Sequence, residues 1–223
     1  MKTKFSTKYV TCTAMFVVIA YLAVIVARPI PNVSGFLSYE PKDAVIVIAG
    51  FIFGPLTSAI VSLLTSLIEM LTVSGTGIYG LLMNVVSTCA FAVPAAWLYQ
   101  KKRTQKGALL GLGLGVLTMA ACMVLWNYII TPFYMGVPRE QVAGMLATVF
   151  LPFNLVKGGI NAALAMLLYK PVVSALRKSG LVEASSGGKK GRFSLGFTLF
   201  ALAVLVTFVL WFLVPGSDRG AVR

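Results

Sequence analysis

Long apolar segments constrain this chain more than any other feature of its sequence. Several runs reach the roughly 20 mostly apolar residues that a helix needs to cross a bilayer. Only 11% of the 223 residues are charged and 58% are hydrophobic, whereas about a quarter of the residues in soluble domains are charged. This excludes a water-soluble enzyme, a disordered chain and a fibrous chain as the default class, and predicts an integral membrane protein.

The pattern of apolar runs and breaks predicts six core helices, one of them short, and a seventh near the C-terminus. The expected helices span residues 9–27, 44–53, 56–73, 78–99, 108–131, 145–169 with an extension to about 176, and 193–214. We therefore expect an all-α membrane domain over residues 1–178, a polar cytoplasmic linker over 179–192, an additional transmembrane helix over 193–214 and a tail over 215–223. Loops are expected at 100–106 and 132–144.

The basic residues predict how these helices are oriented. Thirteen of the 19 Lys and Arg residues fall in segments on the side of the N-terminus, five fall on the other side, and Lys157 lies within a span. Because basic residues concentrate on the cytoplasmic side, we expect a multi-pass protein of the plasma membrane with a cytoplasmic N-terminus and an extracellular C-terminus. This distribution also accounts for the positive charge without nucleic-acid binding.

A polar stripe lies on the helix predicted for residues 145–169. Asn154, Lys157 and Asn161 occur at i, i+3 and i+7, which places them on one helix face. A lysine at the centre of a membrane helix costs roughly 2.5–3.5 kcal/mol. For Lys157 and Asn154 we favour a ligand site over hydrogen bonding between helices, whereas for Asn161 we favour the structural role. On this interpretation the bundle is expected to fold with Met at position 157.

Other polar residues in or beside the spans leave alternatives open. Asn127 is interpreted as a ligand contact at a depth similar to Asn154, and Asn84 fits a ligand contact or a helix–helix bond equally well. Glu69 is the one carboxylate within a predicted span, and a structural role is favoured over ion coupling. The first loop combines aromatic and charged residues that suit either a lid at a pocket mouth or an interfacial aromatic belt: Phe36, Tyr39, Glu40, Lys42 and Asp43.

Several kinds of chemistry have no basis in this sequence. It contains no histidine, its three cysteines are scattered in apolar runs, and it has no phosphate-binding G-x4-G-K-[ST] motif. We therefore expect no catalytic centre, no metal and no resident cofactor, and ATP hydrolysis only by partner subunits. The spacing of Gly107, Gly111 and Gly115 instead predicts close approach of two helices.

Taken together, several segments resemble the riboflavin-specific substrate-binding (S) subunits, of the RibU type, of energy-coupling factor (ECF) vitamin importers. The resemblance covers about residues 8–178. It rests on these segments: Phe36-Leu-Ser-Tyr-Glu-Pro-Lys-Asp43, Gly50-Phe-Ile-Phe-Gly-Pro55, Ser74-Gly-Thr-Gly77 before Asn84, Trp126-Asn-Tyr128, and Asn154-Leu-Val-Lys157 with Asn161.

The resemblance implies a six-helix bundle with an outward-facing vitamin pocket. It implies flavin contacts from Asn127, Asn154 and Lys157, together with Asn84, Tyr39 and Glu40, with riboflavin as transported ligand. The implied partners are a membrane-embedded coupling subunit and two ATPase subunits. The additional C-terminal helix has no counterpart in this resemblance, and the small residues that contact the coupling subunit in the family match only in part, at Ala14.

Three functional classes remain as alternatives. The first is the binding subunit of an ATP-driven importer, with riboflavin, flavin mononucleotide (FMN) or another vitamin as ligand. The second is a self-sufficient secondary transporter, although the sequence has no inverted repeat and no pair of intramembrane acids. The third, a membrane enzyme, lacks any nucleophile–base pair.

Overall fold

A computed structural model describes residues 6–30, 32, 37–182 and, near the C-terminus, 202, 203 and 206. Its secondary structure over these ranges is helical. The helices are α1 (Thr7–Ala27), α2 (Lys42–Phe53), α3 (Pro55–Thr72), α4 (Gly77–Lys102), α5 (Gln105–Met135), α6 (Arg139–Met145) and α7 (Leu151–Lys178), with a π-helical segment (Leu146–Phe150) between the last two.

Five of these units are long and apolar enough to cross a membrane: α1, α3, α4, α5, and the continuous helical stretch from Arg139 to Lys178. Helix α2 has only 12 residues, which is about 18 Å at 1.5 Å per residue. The prediction of six core helices, one of them short, is therefore confirmed. The predicted seventh helix, most of the linker and the tail lie outside the described residues, apart from Leu202, Ala203 and Val206 of that helix and residues 179–182 of the linker.

Two predicted loops are shorter than expected. Helix α4 continues through Lys101 and Lys102, because lysines in a last helical turn interact favourably with the helix dipole. Helix α5 continues through Pro132 and ends at Gly136, which has a left-handed φ of 65°. Arg139 then begins the next helix directly after Pro138. The predicted ends of α4 and α5 were therefore too early, because basic residues and a proline suggest that a helix ends.

The expected close approach is present between α5 and α4 at two of the three glycines, Gly111 and Gly115. A Cβ atom on Gly111 would lie 2.7 Å from the Ala95 carbonyl oxygen, and one on Gly115 would lie 2.3 Å from that of Phe91. Real Cβ contacts are not this short, so these backbones approach each other only because both residues are glycine. This close packing fixes how α4 and α5 lie against each other. It therefore also fixes where their side chains lie near the α3–α4 and α5–α6 connections.

The helices alternate in direction, which divides the bundle into two ends. We call the end that holds the α1–α2, α3–α4 and α5–α6 connections the pocket end. At the opposite end, Lys8 Nζ donates to the Gly180 carbonyl at 3.2 Å and the Tyr99 and Tyr169 hydroxyls lie 2.8 Å apart. These contacts join the ends of α1, α4 and α7 below a core of buried apolar side chains.

Candidate functional site

A cavity of about 610 Å³ opens at the pocket end of the bundle. This volume is within the range of roughly 300–1,000 Å³ that small-molecule sites occupy. The cavity is lined by all six residues for which the resemblance implied flavin contacts: Tyr39, Glu40, Asn84, Asn127, Asn154 and Lys157.

Helical periodicity explains how residues from three helices reach one cavity. Each helix contributes side chains spaced three or four residues apart, which lie on one face. Helix α4 contributes Tyr79, Met83, Asn84 and Ser87; α5 contributes Met123, Asn127, Ile130, Thr131 and Tyr134; and α7 contributes Phe153, Asn154 and Lys157. The wall therefore combines aromatic and apolar surface with a few placed polar groups, the composition expected of a small-molecule site.

Lys157 does not face the cavity as a free cation. Its Nζ donates to Glu40 Oε2 at 3.1 Å and lies 3.6 Å from Asp43 Oδ2. The lysine side chain is only 6% exposed, so the two carboxylates replace the hydration that it loses on burial. The contacts explain how a lysine is accommodated within a membrane helix, and they join α7 to the α1–α2 loop.

A second lysine extends this cluster. Lys42 Nζ forms ion pairs with Glu40, at 3.3 Å, and with Glu69. The amide nitrogen of Asn84 donates to both Glu40 Oε1, at 3.2 Å, and Glu69 Oε1, at 3.1 Å. The pairing of Glu69 with a lysine and an amide supports the structural role favoured for this residue.

The positions of Lys42 and Asp43 differ from the expectation. We expected both in a lid or interfacial belt, but they form the first turn of α2 and are fully buried. Asp43 Oδ1 accepts a hydrogen bond from the Thr88 hydroxyl at 2.6 Å. The combination of aromatic and charged residues suggested a lid or belt, because sequence alone did not reveal that Glu69 and Lys157 supply opposite charges inside the bundle. Phe36, the first residue of that set, lies outside the described residues.

The loop residues Tyr39 and Glu40 have altered acidity. Burial alone would raise the pKa of the Glu40 carboxyl, but the ammonium groups of Lys157 and Lys42 dominate and lower it to about 2. Burial, with a contribution from the Asp43 carboxylate, raises the pKa of Tyr39 above its usual value. Near neutral pH Glu40 is therefore a carboxylate and Tyr39 a neutral phenol.

Two cavity amides are held by their own helices. Asn127 donates to the Met123 carbonyl at 2.7 Å and accepts from the Thr131 hydroxyl at 2.9 Å, whereas Asn154 donates to the Phe150 carbonyl at 2.8 Å. A carboxamide has two N–H donors and two acceptor lone pairs, so both side chains retain hydrogen-bonding capacity toward the cavity. The helical bonds restrict their rotamers and orient that capacity.

Asn161 has the structural role that was favoured for it. Its Nδ2 donates to the carbonyl oxygens of Glu40 and Lys157, at 3.1 and 3.0 Å, and its Oδ1 accepts from the Ala44 backbone N–H at 3.2 Å. The Ala44 N–H, in the first turn of α2, also donates to the Pro41 carbonyl at 3.2 Å. The contacts of Asn161 anchor the end of the α1–α2 loop to α7. Asn161 is not among the residues that line the cavity.

Sequence analysis missed several lining residues, among them the polar residues Ser87 and Thr131. Each follows a predicted site asparagine by three or four residues on the same helix face, so helical spacing from Asn84 and Asn127 was the available signal. Among the described residues, no group of three or more His, Cys, Asp or Glu side chains is arranged to hold a metal ion.

Comparisons with known proteins agree with this architecture. Residues 8–169 match a family model described as "ECF transporter, substrate-specific component". The chain is 27% identical to the riboflavin transporter RibU of Staphylococcus aureus over 74% of its own length and 90% of that protein. It is 29% identical to the riboflavin transporter RibU of Streptococcus thermophilus over 78% and 86% of the two chains.

A solved structure described as the S component of a bacterial ECF transporter is also similar. It aligns with a TM-score of 0.66 and 26% identity, over 76% of this chain and 98% of that one. The six-helix fold, the cavity at one end and the family match extending over most of the chain lead to one conclusion. This chain belongs to the substrate-specific components of ECF transporters, multi-pass proteins of prokaryotic membranes that work with an energy-coupling module and are not enzymes.

Proposed function

We propose that this chain binds riboflavin in the cavity at the pocket end and delivers it across the membrane with its energy-coupling module. The observation that carries the proposal is the convergence of Asn127, Asn154 and Lys157 with Asn84, Tyr39 and Glu40 on one cavity. The similarity to relatives that are named riboflavin transporters supports the same ligand.

The chemistry of the cavity suits a flavin. The isoalloxazine ring has an aromatic body and a polar edge of carbonyls and an imide, and the ribityl chain adds hydroxyls. Tyr79, Tyr134 and Phe153 supply aromatic surface, which favours offset or edge contacts with a ring system. The amides of Asn127 and Asn154 supply paired donors and acceptors of the kind that such a polar edge requires.

We further propose that the pocket end faces the outside of the cell. The distribution of basic residues supports this orientation. The coupling partners in this proposal are one transmembrane subunit and two ATPase subunits, since the chain has no phosphate-binding loop of its own. Substrate binding by this chain is then separate from the ATP hydrolysis that drives uptake.

Titration of the purified full-length chain with riboflavin tests the proposal, with binding followed by the change in flavin fluorescence. Asn127→Leu removes a cavity amide, and Thr65→Val serves as a control that removes a buried hydroxyl outside the cavity lining. We expect roughly 10-fold weaker binding for Asn127→Leu, the size of one lost hydrogen bond with its desolvation, and wild-type affinity for Thr65→Val. Absence of saturable riboflavin binding to the wild-type chain would reject the proposal.

A second measurement separates the importer subunit from a self-sufficient transporter. In liposomes without partner subunits, the chain should bind riboflavin but neither accumulate it nor hydrolyse ATP. Addition of the coupling subunit and the ATPases should make uptake dependent on ATP. Sustained accumulation by this chain alone, driven by an ion gradient, would favour a secondary transporter.

A further inference from the structure

Ser87 is a buried polar residue of the cavity wall that the site described above leaves without a role. It lines the cavity from α4, and it is 2% exposed. Its Oγ is buried without a hydrogen-bond partner among the described residues. Leaving a buried hydroxyl without a partner is unfavourable, and most such groups in folded proteins are satisfied.

The usual partner of a helical hydroxyl is not used here. Serine and threonine within helices commonly donate to the carbonyl four residues earlier, as Thr72 does to Ile68, Thr148 to Gly144 and Ser179 to Ala175. The corresponding acceptor for Ser87 is the carbonyl of Met83, and no such bond forms. The hydroxyl therefore has hydrogen-bonding capacity that no described residue uses. Its oxygen is buried beside the cavity, so a group inside the cavity reaches it after a rotation about the Cα–Cβ bond of Ser87.

The position of Ser87 along α4 places it at the inner limit of the cavity. It is the lining residue of α4 farthest from Gly77, where the helix begins, and ten residues correspond to about 15 Å of helix. On α5, Met123 is likewise the lining residue farthest from the pocket end. Asn84 lies on the same face of α4, one turn nearer the mouth, so a ligand that contacts Asn84 and extends inward reaches Ser87 next.

The chain offers matched hydroxyls that differ from Ser87 in one respect. Thr65 and Ser66 of α3 are also buried, and their oxygens likewise have no hydrogen-bond partner among the described residues. Neither of them lines the cavity. A general property of buried hydroxyls in this bundle would apply to all three residues, whereas contact with a cavity ligand would apply to Ser87 alone.

We infer that Ser87 is a further ligand-contacting residue, whose hydroxyl hydrogen-bonds a polar group of riboflavin at the inner limit of the cavity. The inference rests on the proposed function, since it takes riboflavin as the ligand. A hydroxyl both donates and accepts, so it can meet a carbonyl oxygen, the imide N–H or a ribityl hydroxyl. No described residue satisfies this hydroxyl, and the inferred contact gives it a partner on the ligand.

The test compares Ser87→Ala with Ser66→Ala in the purified full-length chain, by riboflavin titration and by thermal stability with and without ligand. For Ser87→Ala we expect riboflavin affinity to fall roughly 2- to 12-fold, the range for one neutral hydrogen bond. The ligand-free Ser87→Ala protein should be at least as stable as wild type, because an unsatisfied polar atom has been removed. Ser66→Ala should likewise leave ligand-free stability intact, and its riboflavin affinity should be unchanged.

The outcomes distinguish this inference from the proposed function. Riboflavin binding by Ser87→Ala that equals wild type would overturn the inference and leave the proposed function standing. Equal losses of affinity in Ser87→Ala and Ser66→Ala would also overturn it, because the effect would then not depend on the cavity. Absence of riboflavin binding to the wild-type chain would reject both. If Ser87→Ala does not fold, Ser87→Cys keeps nearly the same volume with a much weaker donor, and the same loss is expected.

Discussion

The ammonium group of Lys157 lies 3.1 Å from the Glu40 carboxylate, although 117 residues separate the two in sequence. Glu40 belongs to the α1–α2 loop and Lys157 to α7, so this pair connects the loop to the helix that also carries Asn154. Asn84 adds a contact from α4 to the same carboxylate. Three of the residues proposed to contact the ligand are thus bonded to one another before any ligand enters.

This ion pair changes the expected result of replacing Lys157. From the sequence, Met at this position was expected to fold, but removal of the ammonium group leaves Glu40 and Asp43 buried with one fewer counterion. Breaking a buried ion pair on one side typically costs about 3–5 kcal/mol. Lys157→Met should therefore lower thermal stability in detergent, and Glu40→Gln combined with Lys157→Met should recover part of the loss. Equal stability of the single and double variants would contradict the structural role of the pair.

The limits of sequence reasoning are visible in this cluster. Helix spacing was sufficient to place Asn154 and Lys157 on one face, because periodicity within a helix is a local property. The partners of Lys157 were not predictable, since they depend on how α2 and the α1–α2 loop pack against α7. The short helix α2 was expected to begin at Ala44, but Asn161 and the cluster extend it to Lys42. Tertiary contacts here determine a helix boundary and the burial of two charged residues.

Glycine packing between α4 and α5 allows a matched pair of substitutions. At Gly115 a Cβ atom would lie 2.3 Å from the Phe91 carbonyl oxygen, whereas a Cβ atom on Gly113 would meet nothing within 4 Å. Gly115→Ala should separate the two helices and lower the melting temperature, with riboflavin affinity reduced because α4 and α5 both line the cavity. Gly113→Ala should be neutral or stabilising, by up to roughly 1 kcal/mol, since Ala favours helix over Gly. The same effect for both variants would show that the close approach is unimportant for stability.

The proposed orientation can be measured by cysteine labelling in intact cells, after replacement of the three native cysteines. Glu140 is exposed at the pocket end and Lys106 is exposed at the opposite end. A membrane-impermeant reagent added from outside should modify Glu140→Cys and leave Lys106→Cys unmodified until the cells are lysed. Modification of Lys106→Cys in intact cells would reverse the proposed orientation.

The charges of the site predict discrimination between riboflavin and its phosphate ester. In the described cluster two ammonium groups, of Lys42 and Lys157, face three carboxylates, of Glu40, Asp43 and Glu69, so the formal charges sum to −1 and provide no excess positive charge. A phosphate monoester adds about −1.5 to −2 at neutral pH. One unit charge repelled by another at about 10 Å, with an effective dielectric constant of about 20, costs roughly 1.7 kcal/mol, which is more than a tenfold change in affinity.

We therefore expect FMN to bind at least 10-fold more weakly than riboflavin in parallel fluorescence titrations. Riboflavin 5′-acetate is the control for bulk, since it enlarges the same position without adding charge, and it should bind nearly as well as riboflavin. Glu40→Gln removes one carboxylate beside Lys157. It should lower the ratio of the FMN dissociation constant to the riboflavin dissociation constant, even where both constants change. Arg28 is an exposed cation at the cavity edge, where it would attract the phosphate of FMN. If the phosphate lies on that side, Arg28→Gln should raise the ratio of the FMN dissociation constant to the riboflavin dissociation constant. Equal affinities for riboflavin and FMN in the wild-type chain, or an acetate ester that binds as poorly as FMN, would show that charge in this cluster does not select the ligand.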